Sequence, residues 1–342
     1  MKYSIGYQLP DELDSVVSIC EDYKDSISSV YFSYGAEPSG RLPLYSLANK
    51  DAEAIKKIQL DELKKINSMG ISLTLLLNAN CYGEEASSEE LKKHVTELAV
   101  FLKSEVNISA VTTASPFIAE ALKDEFGNSL HICASVNMRI DSINTMRQLS
   151  DCFDGFYIRK EINRNMGLIR DMYSWCRDNG KKLNILANSG CLSHCGFQTF
   201  HDNLVAHQFS LSKGCNDGHK YPAPCWKYLA SLSEDECLAE IMQSNWIRPE
   251  DVCRYDEYFS EMKLATRMHS RPRMVVAAYA RGRFSGNITD LTEPSYSSLF
   301  RGKILDNTLV EDKWFDTVLS CKHNCHNCNY CKEVAEKIKL KV

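Results

Sequence analysis

Two short segments of this 342-residue chain concentrate thiols. Residues 191–195 read CLSHC and residues 321–331 read CKHNCHNCNYC, so together they hold six of the 15 cysteines. Clustered thiols can form disulfides, coordinate zinc or hold an iron–sulfur cluster. An odd number of cysteines cannot pair completely, and thiols stay reduced in the cytoplasm, where we expect this chain. The two segments therefore predict metal centres.

The first segment belongs to a predicted set of four thiols. Cys191 and Cys195 are followed by Cys215 and Cys225, with three, nineteen and nine residues between successive members. This loose spacing fits neither a zinc ribbon nor a zinc finger, whereas the separate irons of a cluster accept ligands from different directions. We expect a [4Fe–4S] cluster here, with zinc as the alternative. Cys215 or Cys225 could instead be a buried small apolar residue.

The second segment has the spacing C-x3-C-x2-C-x2-C, formed by Cys321, Cys325, Cys328 and Cys331. Its first three cysteines match the spacing of radical SAM enzymes. A fourth cysteine would fill the iron that such enzymes leave open, so we predict a fully ligated second [4Fe–4S] cluster, or zinc. His323 and His326 could replace a thiol as ligand, but we expect them to face solvent.

The bulk composition is that of a globular protein with an acidic balance. The net charge is −5, and 44% of the residues are hydrophobic. No stretch approaches the roughly 18 apolar residues of a membrane span, and the N-terminus becomes polar too early for a secretory signal. General electrostatic attraction to nucleic acid is disfavoured, although a local basic patch leaves such a partner open. The last residues, KEVAEKIKLKV, predict a solvated amphipathic helix.

Short apolar runs alternate with amphipathic stretches along most of the chain. Strands are predicted at 2–7, 29–34, 71–77, 108–113, 130–135, 155–160, 183–188 and 261–266. The clearest helical patterns are at 52–70, 87–105 and 274–284, and the second of these opens with Ser and Glu spaced as in a capping box. Eight such units predict an α/β protein with a (β/α)8 TIM barrel.

Two Cys-rich segments interrupt the regular alternation. The predicted domains are a barrel over 1–285, which includes a Cys-rich insertion at 189–260 between strands 7 and 8, and a Cys-rich C-terminal tail over 286–342. TIM barrels place their chemistry at the carboxyl ends of the strands. Those ends present polar side chains: Asn78, Asn80, Cys81, Thr113, Ser115, Ser135, Asn137, Arg159, Glu161, Asn188, Ser189, Cys191 and Arg267.

The segment LANSGCLSHCGFQTFH (186–201) resembles the signature region of the U32 peptidase-like, or collagenase-like, family. WIRPEDVCRYDEYFSEMKLATRM (246–268) is similar to the family's run before a final strand that carries Lys263 and Arg267, and the Arg159–x–Glu161 pair also suits its pattern. The resemblance covers roughly residues 1–284. It implies an iron–sulfur barrel related to oxygen-independent hydroxylases of ubiquinone precursors and RNA bases, some of which use prephenate; other members are described as collagenases.

The resemblance also implies a ligand set. Carried over residue by residue, the cluster ligands are Cys191, Cys195, Cys215 and Cys225, and Cys81 could take the place of Cys215 from the opposite side of the barrel mouth. This chain differs from the family in spacing its first two cysteines more closely, and in its four-cysteine tail.

These observations predict an iron–sulfur oxidoreductase that hydroxylates an aromatic, nucleobase or peptide substrate without oxygen. Arg159, Lys263 and Arg267 would bind an anionic substrate or oxygen donor, because a guanidinium group matches a carboxylate. Glu161 and His194 are candidates for proton transfer. Arg159 and Glu161 could equally pair with each other and tie strand ends together.

Two other functions stay open. A U32-type peptidase or hydrolase would fit the family name, although the chain contains neither H-E-x-x-H nor G-x-S-x-G. A non-catalytic iron–sulfur electron-transfer protein would explain the tail cysteines as a second centre. An electron-transfer protein would have a redox protein or another subunit as its partner. An oxidoreductase or a hydrolase would instead bind a small molecule or a peptide.

Overall fold

Eight parallel strands close into a barrel in their order along the chain. The structure, a computed structural model, describes residues 1–11, 14–41, 52–207, 223–300 and 302–341. The barrel strands β1 to β8 are Lys2–Gly6, Ile27–Phe32, Ser72–Leu77, Ala110–Thr113, His131–Ala134, Gly155–Tyr157, Lys182–Leu186 and Glu261–Lys263. Each strand pairs in parallel with the next, and β8 pairs with β1. The predicted (β/α)8 TIM barrel is confirmed.

Helices follow the strands and cover the outside of the barrel. Those of the barrel are α1 Val16–Asp22, α2 Ala52–Ser68, α3 Glu89–Val106, α4 Pro116–Phe126, α5 Ile143–Leu149, α6 Met166–Asp178 and α10 Pro272–Arg281. Local signals set their ends: the Ser88 hydroxyl caps α3 by accepting from the amide of Leu91, and Gly282 ends α10 with a left-handed φ of 64°. In the part of the chain that is described, no helix has the length and apolar character needed to cross a membrane.

Between β7 and β8, in the segment predicted to be an insertion, the described residues form three α-helices. They are α7 Gln198–His207, α8 Pro224–Ser231 and α9 Glu234–Gln243. The loop after β6 holds the end of this segment, because the Asn163 side-chain amide donates both to the Leu186 carbonyl at 2.8 Å and to the Asn245 carbonyl at 3.1 Å. The cysteine Cys215 of the predicted ligand set lies outside the described residues.

The C-terminal tail folds back onto the inserted helices. It contains β9 Lys303–Leu305, α11 Lys313–Leu319, α12 Tyr330–Ile338 and β10 Lys339–Lys341, and the two strands pair antiparallel. Helix α12 packs against α9, with Val334, Ala335 and Ile338 buried. The predicted amphipathic last helix is present, with Glu333, Glu336 and Lys337 exposed on its polar face, but it ends at Ile338 and the chain continues as β10.

A close backbone approach at the barrel mouth gives a stability prediction. A Cβ atom at Gly6, the last residue of β1, would lie 2.6 Å from the amide nitrogen and 2.8 Å from the Cα of Arg267. We expect Gly6→Ala to lower the free energy of unfolding by about 1–3 kcal/mol, because the backbone after β8 must move to accept the methyl group. Urea unfolding measures this change. Gly196→Ala is the control, since nothing lies within 4 Å of a Cβ there, and equal stability losses in both variants would contradict the prediction.

Candidate active site

A cavity of about 310 Å³ opens at the carboxyl ends of the strands, where this fold carries its chemistry. Residues from six loops line it. They include Asn137, Arg139, Arg159, Glu161, Ser189, Cys191, Cys195, Asp202, Cys225, Trp226, Glu293 and Tyr296. The structure therefore brings together several strand-end residues that the sequence singled out, along with charged residues that it did not.

Arg159 and Glu161 form part of an ion-pair network at the end of β6. Arg159 Nε donates to Glu161 Oε2 at 3.1 Å, and its Nη1 donates to the Asp141 carboxylate at 2.7 Å. Lys160 Nζ donates to Glu161 Oε1 at 2.6 Å and to the Leu192 carbonyl at 3.0 Å. Burial alone would raise the pKa of Glu161, but the charge and hydrogen bond of Lys160 and the hydrogen bond from Arg159 outweigh it, so this pKa is lowered. The network thus holds an ionised carboxylate and fixes the loop that carries Cys191.

Three of the four predicted barrel-mouth ligands line the same cavity: Cys191, Cys195 and Cys225. Burial raises the pKa of the Cys195 and Cys225 thiols, and the hydroxyl of buried Tyr296 lies beside them. Across the residues that the structure describes, no three side chains among His, Cys, Asp and Glu converge closely enough to coordinate a metal ion. The donor chemistry fits a thiolate-bound centre, while the assembled ligand set stays a prediction. Cys81, the suggested substitute, is not among the residues that line this cavity.

His194 lies between two of these cysteines but is turned outward. It is exposed and adopts a left-handed φ of 51°. In the tail, His323 has the same conformation with a φ of 54°, and its backbone amide donates to Cys321 Sγ at 3.2 Å. Burial, then the charge of Arg164 and then that of His194 lower the pKa of His323, which is consistent with the two cysteine segments being neighbours in the fold. His323 is half-buried and His326 is exposed, which matches the expected solvent-facing position for His326 only.

Lys263 and Arg267 lie deeper, at the end of β8. Both are largely buried, and Lys263 Nζ lies 3.9 Å from the ring centroid of Tyr31 and 5.0 Å from that of Tyr157. Burial and the charge of Arg267 lower the pKa of Lys263 to about 7. Arg267 Nη1 donates to the Ser39 hydroxyl at 3.2 Å. Within the described residues, neither cation has a carboxylate at ion-pair distance, so this end of the site carries uncompensated positive charge.

Two carboxyl groups at the cavity were missed by the sequence analysis. Burial raises the pKa of Glu293 and of Asp202, against opposing contributions from Arg41, and for Asp202 also from Arg139, which donates to it at 3.4 Å. Glu293 forms no side-chain hydrogen bond or ion pair within the described part of the chain. It comes from a loop after α10, paired to Ser189 through a parallel bridge, and the cis bond to Pro294 follows it. A Glu-Pro pair beyond the last barrel helix was the only available signal.

Comparisons with known proteins agree with this architecture. No family model matches the chain. A protein from Methanocaldococcus jannaschii named "Uncharacterized protease MJ1657" is 26% identical over 340 residues, which span 96% of this chain and 93% of that protein. Among solved structures, the U32 peptidase Mk0906 superposes with a TM-score of 0.52 and 15% identity, covering 78% of this chain and 92% of the other.

The chain is similar to a named archaeal protease over nearly its whole length, and it shares the barrel fold of a U32 peptidase. The resemblance seen in the sequence is thereby confirmed, and the prediction of an enzyme is confirmed in that general form. The predicted iron–sulfur oxidoreductase is wrong, because both similar proteins are named as a protease or a peptidase. Clustered thiols had suggested redox chemistry, but thiols alone do not distinguish a catalytic cluster from a structural one.

The buried network around Glu161 predicts a large stability effect. We expect Glu161→Gln to lower the free energy of unfolding by about 3 kcal/mol at pH 7, because Lys160 and Arg159 then lose a charged partner in a site where Glu161 is only 5% exposed. Because the pKa of Glu161 is below 4.5, this stabilisation should disappear as the pH falls under that value. Urea unfolding at several pH values measures both effects. Asp178→Asn, which breaks an exposed pair with Arg177, should cost less than about 1 kcal/mol, and an equal loss would contradict the prediction.

Proposed function

We propose that this protein is a peptidase-type hydrolase whose reaction occurs in the barrel-mouth cavity, with Glu293 as general acid–base. The observation that carries the proposal is the environment of Glu293: a carboxyl group that lines the cavity, has no side-chain partner among the described residues and has a raised pKa. A carboxyl group whose pKa moves toward the working pH can both accept and donate a proton. The protease name of the archaeal relative supports the reaction class.

The residues suggest a direct attack of water on the peptide carbonyl. The carboxylate of Glu293 removes a proton from the water while the water oxygen bonds to the carbonyl carbon. The same proton then passes from Glu293 to the departing nitrogen as the C–N bond breaks, which regenerates the carboxylate. Arg41 lines the cavity and interacts with Glu293, so its guanidinium is suited to stabilise the developing oxyanion. Apolar side chains such as Trp226 and Leu186 limit the entry of other water.

The proposal is tested with Glu293→Gln and a library of short quenched-fluorescence peptides. Removing the carboxylate should lower the cleavage rate by roughly 100-fold or more, the usual contribution of a positioned acid–base group. In the parent protein, the rate should fall as the pH drops through the raised pKa of Glu293, above the ordinary value of 4.5, and the variant should lose this dependence. Glu125→Gln, on the exposed side of α4, should keep the parent rate.

Two results would overturn this function. One is a parent protein that cleaves no peptide in the library. The other is a Glu293→Gln variant that retains the parent rate and pH dependence, which would show that the cleavage uses another group or comes from a contaminant.

We further propose that the four tail cysteines bind a metal centre with a structural role, either [4Fe–4S] or zinc. Their side chains do not converge in this structure, so binding would draw them together around the metal. Arg164 supports this proposal. Its guanidinium is buried and lies 4.9 Å from the ring centroid of Trp314 and 5.3 Å from that of Trp246. Within the described residues, it donates only to the carbonyls of Met242 and Trp246. No carboxylate among the described residues lies at ion-pair distance from it.

Burial lowers the pKa of Arg164, and the groups whose negative charge would oppose this shift are Cys331, Tyr255, Asp251 and Cys321. A buried cation is costly unless an anion compensates it. Four thiolates around zinc or a [4Fe–4S] core carry a net negative charge. The hydrogen bond from the His323 backbone amide to Cys321 Sγ would further stabilise a thiolate there. Such a centre would fasten the tail to the loop before α6. The barrel-mouth thiols could hold a second centre of the same kind, with Cys215 as the fourth ligand.

Metal analysis after anaerobic purification tests the tail centre independently of any activity. Iron, sulfide and zinc are measured in the parent protein and in Cys328→Ala, which removes an exposed tail thiol. We expect the variant to lose one centre and to unfold at a lower temperature. Cys253→Ala, which removes an exposed thiol outside both groups, is the matched control. Full metal content in Cys328→Ala would contradict the proposal.

A further inference from the structure

A second, smaller cavity lies beneath the barrel-mouth cavity, inside the ring of strand ends. Its volume is about 70 Å³, and its polar wall is formed by Tyr31, Arg41, Asn78, Asn137, Lys263 and Arg267. Glu293 lines both this cavity and the larger one. The small cavity is therefore the inner end of the proposed reaction site, and Glu293 stands at the junction.

The charges of this inner cavity are strongly unbalanced. Lys263 is 9% exposed and Arg267 is 7% exposed, and Arg41 adds a third positive group to the same wall. The aromatic faces of Tyr31 and Tyr157 offset part of the charge on Lys263. Among the described residues, the only carboxyl group that lines the cavity is Glu293, and it forms no ion pair there. Buried cations in such an arrangement call for an anionic ligand, and a guanidinium group favours a carboxylate.

The size of the inner cavity limits what that anion can be. A water-sized group needs roughly 10–15 Å³ of such space, so about 70 Å³ admits roughly five to seven non-hydrogen atoms. A C-terminal glycine or alanine residue with its free carboxylate has about that many atoms. A large side chain does not fit beside the carboxylate.

We infer that the inner cavity binds the terminal carboxylate of a peptide through Lys263 and Arg267, and that the enzyme removes one small residue from the C-terminus. This inference rests on the proposed function. With the last residue in the inner cavity and the preceding ones in the larger cavity, the bond between the last two residues lies next to Glu293, which lines both. The proton steps are those already described, and no further reactant is needed.

The protonation of Lys263 provides a second signature of the same event. Its pKa of about 7 results from burial and from the charges of Arg267 and Arg41, against opposing contributions from Cys133 and Glu261. The phenols of Tyr31 and Tyr157 also face it and stay protonated, since burial raises the pKa of both. A bound carboxylate adds an opposite charge and favours the ammonium form. Binding at pH 8 should therefore take up as much as about one proton.

Calorimetric binding to the Glu293→Gln variant tests the inference without any cleavage. The ligands are Ala-Ala-Ala with a free carboxylate and the same tripeptide as its C-terminal amide. We expect the free acid to bind roughly tenfold or more tightly than the amide, because hydrogen bonds from Lys263 and Arg267 to a charged carboxylate are stronger than those to a neutral amide. At pH 8, titrations in phosphate and in Tris should give different heats for the acid, because a proton is taken from the buffer.

Matched second substitutions assign the effect to the inner cavity. Lys263→Met should abolish the proton uptake, and Arg267→Gln should remove most of the preference for the free acid; circular dichroism checks that both variants fold. Arg177→Gln, on the exposed face of α6, should change neither quantity. If either cavity variant fails to fold, the comparison of acid with amide on Glu293→Gln alone still decides the point.

The outcomes separate this inference from the proposed function. Equal affinity for acid and amide overturns the carboxylate site, even if the parent protein cleaves peptides. Preferential binding of the acid without any cleavage by the parent protein supports the carboxylate site and overturns the hydrolase. If both hold, mass spectrometry of products should show loss of a single C-terminal glycine or alanine, and peptides that end in phenylalanine should resist; cleavage only at internal bonds would overturn the exopeptidase inference.

Discussion

The pairing of β8 with β1 is the constraint on which the site depends. β8 has only three residues, Glu261–Lys263, yet it pairs with β1, the first strand of the chain. This pairing places Lys263 inside the barrel against Tyr31 of β2 and Tyr157 of β6. It also brings the backbone of Arg267 so close to Gly6 that a side chain there would be excluded. The same strand pairing therefore closes the barrel and positions both buried cations, Lys263 and Arg267.

The charge distribution of the mouth follows from that geometry. Around Glu161, the cations Lys160 and Arg159 pair with two carboxylates, Glu161 and Asp141, so the charges in this part of the site balance. Around Lys263, positive groups meet aromatic rings and amides, and Glu293, the one carboxyl group among the described lining residues, forms no ion pair with them. A protein retains buried charges without partners only at a cost to its stability, and such a cost is usually tied to a function. The charges around Glu161 are paired, whereas the cations around Lys263 are not. This difference favours binding of an anionic group on the Lys263 side of the barrel mouth only.

The sequence predicted the frame of this site better than its reactive groups. Alternating apolar and amphipathic runs located all eight strands, and the strand-end rule then selected Asn137, Arg159, Glu161 and Arg267. Glu293 and Asp202 could not be selected in this way, because they belong to segments outside the regular β-then-α units. Their raised pKa values come from burial by residues distant in sequence, which no local pattern records. The cysteines were found easily because thiols are rare and cluster visibly, and their prominence led to the wrong reaction class.

The tail ties these separate segments together. Arg164, from the loop before α6, lies close to both Trp246 of the insertion and Trp314 of the tail, and those two indoles stack with centroids 5.5 Å apart. Lys339, at the opposite end of the tail, forms ion pairs with Glu234 and Asp235 at the start of α9. The tail therefore holds the insertion from both ends, and the insertion supplies Cys195, Asp202 and Cys225 to the cavity wall. Because these contacts join the tail to the elements that carry the wall, a metal centre at its cysteines would act on the active site through position alone, without any part in the chemistry.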